Sequence, residues 1–398
     1  MGDGMIRRLG LLALLGGVLL CVVGGMTGCA APERRPDLGA LYSEAAQKIG
    51  DARNPVIVIP GILGSKLEDR DSDVPVWGSF IYGAADPDTA EGARLVALPM
   101  EYGVPLSEIR DEVRATDVLD TLTLDVALIR GVELGAYVDI LETLAAGRYR
   151  DSTLGDSGAI DYGGLHYTCF QFPYDWRRDV AEQAADLHRL VLDAIAVQPE
   201  AGGKVDVVAH SMGGMVLRYY LRYGPDPLPA DGSLPELDWE GARYVENAIL
   251  VGTPSAGSVL SLKQLVEGVN FVAFITPNYR PAVLGTMPAV YQLLPRTRHA
   301  RVVDGATGEA IDLFDAQTWV DLNWGLADTG QDRVLRQLMP DVSSDAERRV
   351  IALEHLEKCL RQAERLHAAL DVEASPPAGT RLHLIAGDAL PTPDVLSV

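Results

Sequence analysis

Cysteine is scarce in this chain of 398 residues, and positive charge is in short supply. The four cysteines are Cys21, Cys29, Cys169 and Cys359. So few, so far apart, they exclude a small disulfide-stapled scaffold, and no Cys or His stands at metal-ligand spacing. One bridge, Cys169 to Cys359, is compatible with an oxidising compartment, but two distant cysteines do not decide it. Lysine and arginine number 34 against 56 Asp and Glu, a formal net charge of −22. Such acidity argues against nucleic acid and against anionic lipid as an electrostatic partner. No cofactor or metal is called for. What is present in quantity is apolar: 47% hydrophobic residues are ample for a large core.

The N-terminus departs from the rest. Arg7 and Arg8 precede an apolar run from Leu9 to Met26, closed by Met26-Thr27-Gly28-Cys29. Together these look like a secretion signal ending in a lipobox, in which small residues admit a signal peptidase and the freed Cys29 carries acyl chains. A plain N-terminal membrane helix is the alternative reading of the same run. The expected organisation is therefore a signal peptide of lipoprotein type over 1–28, a linker over 29–54 rich in Ala, Pro and charge, and a folded domain over 55–398. Ala30 and Ala31 lack the aspartate that would favour inner-membrane retention. The expected location is the cell envelope, as a membrane-anchored lipoprotein of the outer membrane facing the periplasm.

The stretch Lys204 to Gly224 organises the domain. Val205, Val207 and Val208 suit a buried strand, and Met215, Val216, Tyr219, Tyr220 and Tyr223 recur at helical spacing. Between them Ala209-His210-Ser211-Met212-Gly213 follows the small-x-Ser-x-Gly nucleophile-elbow pattern. The pattern has a steric cause: residues two before and two after a strained serine pack too closely for large side chains. Such a turn lifts the Ser211 hydroxyl above the C-terminal edge of a parallel sheet and points a helix N-terminus at a developing oxyanion. The competing reading is a chance serine in a strand-to-helix turn. His210 leaves the turn in another direction and reads as packing, not as a base.

Upstream, Val56 to Ile59 is a continuous β-branched run leading into Pro60-Gly61-Ile62-Leu63-Gly64. A loop there in this fold donates an oxyanion N–H. Pro60 has none, so Ile62 pairs with Met212 as the candidate oxyanion hole; the bland reading is that Gly61 and Gly64 merely turn the chain.

Taken in order, VIVIPGILGSKLE, Val76-Trp77, Pro173-Tyr174-Asp175-Trp176-Arg177, AHSMGG, Val251-Gly252-Thr253-Pro254 and the Gly387 to Pro393 stretch resemble the lecithin:cholesterol acyltransferase and lysosomal phospholipase A2 family. The resemblance implies an α/β-hydrolase with a mostly parallel sheet, helices on both faces, and lid or cap insertions at about 71–164 and 260–340. It also implies a serine-dependent O-acyltransferase or lipid-ester hydrolase acting through an acyl-enzyme on Ser211, with a lipid or ester as partner. Trp77 matches the family's exposed, lipid-contacting tryptophan, with an ordinary half-buried aromatic as the other reading. Asp175 and Arg177 read as a structural ion pair or turn.

Further features follow from pattern alone. Residues His166 to Phe172 and Asn247 to Val251 read as strands, and Phe271, Val272, Phe274, Ile275, Val290, Tyr291, Leu293 and Leu294 as the apolar side of a lid or of a packed insertion. Ser344 and Glu347 read as a capping box opening a long helix that carries His355 and His367. His383 falls within a strand and His299 within the insertion. No histidine follows Asp388, so the expectation is a chain truncated before its triad acid and histidine, lacking its last strand and helix. A non-catalytic lipid-binding lipoprotein is the alternative function.

Overall fold

Val56–Ile59 is a run of four β-branched residues with every side chain buried, as a strand covered on both faces requires. It forms β1 of a five-stranded parallel sheet. The computed structural model describes residues 53–80, 84–119, 121–126, 129–135, 137–163, 166–270, 277–299, 301–389 and 391–398. The other strands of the sheet are β2 (Cys169–Gln171), β3 (Val205–His210), β4 (Val245–Val251) and β5 (Arg381–Ile385), in the order β5-β4-β3-β1-β2. All pairings are parallel, with Ile59 opposite Ala209 and Val251 opposite His210. All described residues belong to one compact unit, Gly39–Val398. The expected signal peptide over 1–28, Cys29 and most of the linker lie outside the described residues.

Asn54 is buried, its amide donating to Asp206 Oδ1 at 3.1 Å and to Glu246 Oε2 at 2.7 Å. These bonds tie the residue before β1 to β3 and β4. The strand expected over His166 to Phe172 is three residues long, Cys169–Gln171. Cys169 and Cys359 are both buried free thiols in separate apolar clusters.

Parallel strands need crossovers, and helices supply them. The helix α1 (Val138–Ala146) precedes β2, α2 (Gln183–Val197) precedes β3, and α3 (Gly213–Tyr223) follows β3 directly. The α2 helix buries Ala184, Leu187, Val191 and Ala194, spaced along one face. Nearly every residue of α3 is buried, as its apolar and aromatic composition demands. The α4 helix (Val259–Glu267) follows β4, and α5 (Asp345–Asp371) is the longest. Ser344 caps α5 by accepting from the Glu347 N–H at 3.2 Å, while the Glu347 carboxylate takes the Ser343 hydroxyl. His355 and His367 are buried on α5 and reach the carbonyls of Thr286 at 3.0 Å and Gln292 at 2.8 Å.

Two small three-stranded sheets precede β2, Ser65–Asp69 with Pro75–Trp77 and Val113–Val118, and Ser79–Phe80 with Thr121–Val126 and Ile129–Gly135. Within 260–340, residues 281–296 are buried throughout, packed under α5. Phe271, Val272, Phe274 and Ile275 lie outside the described residues. At the far edge of the main sheet, β5 leaves Leu382, Leu384 and Ile385 exposed.

Candidate active site

The turn between β3 and α3 holds Ser211 at φ 51°, a left-handed conformation that costs a serine about 1–2 kcal/mol. The strain is held from several sides. The Ser211 N–H donates to Val251 O at 2.9 Å, and Gly214 N–H donates back to Ser211 O at 3.0 Å. A Cβ on Gly213 would lie 2.3 Å from Pro60 O, so only glycine fits two residues past the serine. Ala209, two residues before it, is wholly buried.

The loop after β1 meets this turn. A Cβ on Gly61 would lie 2.7 Å from Ser211 Cβ, so loop and elbow touch through bare backbone. Leu63 is likewise left-handed, at φ 64°. The loop is clamped by the PYDWR segment: the Tyr174 hydroxyl donates to Pro60 O at 3.0 Å, Trp176 Nε1 donates to Ser65 O at 3.1 Å, and Tyr174 N–H donates to Ser65 Oγ at 3.0 Å. Asp175 and Arg177 do form the expected structural ion pair. Arg177 is fully buried and spans Asp175 at 2.8 Å and Asp111 at 2.6 Å, with further bonds to Leu95 O and Val96 O. Burial works against its charge, but the two carboxylates outweigh it and raise the guanidinium's proton affinity.

A cavity of about 240 Å3 opens on Ser211 and Ile62. Its walls are chiefly apolar: Leu63, Trp176, Tyr279, Leu284, Met287, Val290 and Leu293. Among the described residues, no protein acceptor engages the N–H of Ile62 or that of Met212. Both donors flank Ser211, one on the loop and one at the N-terminus of α3. Two larger clefts, of about 620 and 690 Å3, are lined by charged side chains and not by Ser211.

Trp77 is corrected: it is not exposed but 5% accessible, with its indole N–H on Leu63 O at 2.7 Å. It packs edge-on against Trp176 and Tyr279, with ring centroids 5.6 and 5.8 Å apart, and so stands behind the cavity wall. Trp176 stands out in sequence only as part of the PYDWR motif, and nothing local marks Tyr279 or Met287.

Among the described residues, no histidine or carboxylate is hydrogen-bonded to the Ser211 hydroxyl. His210 turns instead to the Tyr137 hydroxyl, 2.9 Å from Nδ1, and burial lowers its proton affinity. His188 meets the Tyr220 hydroxyl at 2.9 Å, His383 meets Asn247 Oδ1 at 3.2 Å on the exposed edge strand, and His299 lies beside Arg298. Among the described residues, no group of three or more His, Cys, Asp or Glu could hold a metal.

A serine strained on a strand-to-helix turn, at the C-terminal edge of a parallel sheet and facing a backbone-donor loop, defines an α/β-hydrolase. Residues 164–318 match the family described as lecithin:cholesterol acyltransferase. The phospholipase A(1) LCAT3 of Arabidopsis thaliana is 24% identical over 285 residues, covering 65% of this chain and 56% of that protein. The lysosomal phospholipase A and acyltransferase of Bos taurus is 25% identical over 237 residues, covering 55% and 52%. This chain thus spans about half the length of these relatives. The fold is similar to a chain in the crystal structure of the Tle4–Tli4 complex, with a TM-score of 0.52 at 16% identity, covering 85% of this chain and 78% of that one. These matches make the chain similar to the lecithin:cholesterol acyltransferase and lysosomal phospholipase A proteins.

Proposed function

We propose that the protein is a serine-dependent lipid acyltransferase or lipid-ester hydrolase whose nucleophile is Ser211. One observation carries the reading: a strained Ser211 opens onto an apolar cavity that it shares with Ile62, whose N–H has no acceptor among the described residues. Ser211 Oγ attacks the ester carbonyl carbon, and the N–H groups of Ile62 and Met212 hold the oxygen as it becomes anionic. The ester C–O bond breaks, the alcohol leaves with a proton, and the acyl group stays on Ser211 inside the apolar cavity. Water or an acceptor alcohol then takes the acyl group. The names of the relatives, phospholipase and acyltransferase, support this chemistry.

The test uses the full chain with vesicles of acyl-labelled phosphatidylcholine, with and without an added sterol or short alcohol. Free fatty acid indicates hydrolysis and a new ester indicates transfer, and both vanish in Ser211→Ala. Turnover that survives Ser211→Ala would overturn the assignment.

A second reading is favoured by one observation: among the described residues, nothing able to take its proton is bonded to the Ser211 hydroxyl. On that reading the protein binds lipid without turning it over. A fluorophosphonate probe separates the two, because an activated serine labels and an inert one does not.

The membrane tether belongs to the same proposal. It rests on Met26-Thr27-Gly28-Cys29, which marks Cys29 for lipidation at the outer membrane. No helix among the described residues is long and apolar enough to cross a membrane. In Cys29→Ser the lipid label and membrane retention are expected to disappear; unchanged retention would remove the proposal.

A further inference from the structure

Tyr137 stands at the N-cap of α1, far in sequence from both halves of the site, and its hydroxyl touches both. It accepts from the Gly61 N–H at 2.7 Å and meets His210 Nδ1 at 2.9 Å. Tyr137 is buried, and the Tyr137 and His210 rings pack edge-on with centroids 5.5 Å apart. Burial raises the phenol's pKa, with the Gly61 N–H working the other way, so the hydroxyl keeps its proton. The site is also built closely around it: a Cβ on Gly64 would lie 2.8 Å from the hydroxyl oxygen.

We infer that Tyr137 is a positioning residue for Ser211, a latch that fixes the backbone-donor loop against the nucleophile turn. The inference rests on the serine-hydrolase reading above. A tyrosine hydroxyl has one proton to donate. With Gly61 donating to it and no other acceptor beside it among the described residues, that proton goes to His210 Nδ1. His210 is then held with its own proton on Nε2 and takes no part as a base at Ser211. The Gly61 N–H is spoken for, so the loop's donors toward the cavity begin with the next N–H, that of Ile62. Gly61 and His210 both adjoin groups that do the chemistry, Ile62 and Ser211, so one hydroxyl sets the spacing between oxyanion donor and attacking oxygen. Such spacing matters for the transition state and little for substrate binding.

The test has two arms. In the first, the full chain labelled with 15N-histidine is examined by long-range 1H–15N NMR at neutral pH, with His210 assigned by its loss in His210→Gln. The expected result is an Nε2–H tautomer with a hydrogen-bonded Nδ1 in the native chain and a mixed tautomer in Tyr137→Phe. In the second, a fluorophosphonate probe and a p-nitrophenyl ester report on Ser211. Tyr137→Phe is expected to slow labelling and to lower kcat about tenfold with KM within about twofold, since removing an oxyanion donor outright costs about 10²–10³. His210→Gln, whose amide oxygen can still accept from Tyr137, keeps most of the rate. His210→Leu loses it, and the Tyr137→Phe/His210→Leu double variant is no slower than Tyr137→Phe alone.

An Nδ1–H tautomer in the native chain overturns the latch, as does Tyr137→Phe labelling within twofold of native. Should Tyr137→Phe not fold, the two His210 variants decide it, and equal rates for Gln and Leu overturn it. A native chain that neither labels nor turns over ester overturns the serine-hydrolase reading and the catalytic half of the inference, while the tautomer arm still decides the latch.

Discussion

Gly61 and Ser211 meet with nothing between their backbones: a Cβ added to Gly61 would lie 2.7 Å from Ser211 Cβ and 3.2 Å from its Oγ. The loop that offers N–H donors and the turn that offers the nucleophile are thus in van der Waals contact through the one residue type without a side chain. Gly61→Ala is expected to push the two apart, lower stability by about 1–3 kcal/mol as overpacking does, and remove fluorophosphonate labelling. Urea denaturation and probe labelling on the same preparation check it. Native labelling in a folded Gly61→Ala chain would mean that the contact does not set the site.

Arg177 is fully buried between Asp175 and Asp111. Arg177→Ala leaves two carboxylates facing one another without their cation, and breaking a buried pair in this way costs about 3–5 kcal/mol. Arg177→Lys should recover only part of the loss, because one ammonium cannot reach both carboxylates and the carbonyls of Leu95 and Val96 with the same geometry. The urea midpoints of the three chains order native above Lys above Ala.

Both buried histidines of α5 bear on acid stability. Burial lowers His355 and His367 from the ordinary 6.5 to about 4. In the window between, the unfolded chain binds protons that the folded chain refuses, so their effect is that stability falls as pH drops from about 6.5 and levels off below about 4. At about 1.4 kcal/mol per unit, each contributes at most about 3.5 kcal/mol. Glu182, raised by burial to about 7, opposes them over part of the window, because it takes up its proton more readily when folded. The test is therefore a difference. His355→Gln should unfold with a shallower loss of stability between pH 7 and 5 than the native chain. Parallel curves would mean that His355 does not titrate with folding.

How much of this was legible in sequence follows from what each segment touches. The strand β1 is buried at every position, so its β-branched run stands out without knowledge of any partner, and β3 and β4 alternate buried with half-buried residues, a period-2 pattern that also reads locally. The Ser211 turn is legible because its steric demand acts within two residues in either direction. The two readings of Trp77 are inseparable in sequence because its partners, Trp176 and Tyr279, lie far along the chain. Nothing local in the sequence marks Tyr137 for its role. Its hydroxyl partners, Gly61 and His210, are 76 and 73 residues away, where no periodicity reaches.

The exposed side chains of β5 make a fourth prediction. Leu384 is 79% accessible on the edge strand, and exposed apolar edges promote pairing between chains. Leu384→Glu is expected to lower concentration-dependent light scattering while changing stability by less than about 0.5 kcal/mol. Scattering equal to that of the native chain would exclude the edge as the point of association.

The position of β1 in the sheet also sets a schedule. It is the first strand made, yet its neighbours are β2, whose Cys169 pairs with Val56, and β3, whose Asp206 pairs with the same residue. A ribosome adding about 5–20 residues per second needs on the order of ten seconds to reach the first of these partners. Throughout that time four adjacent β-branched side chains have no strand to join. The nascent chain must keep Val56–Ile59 sheltered, by transient collapse or by a chaperone, before the loop at Gly61 has anything to be latched to.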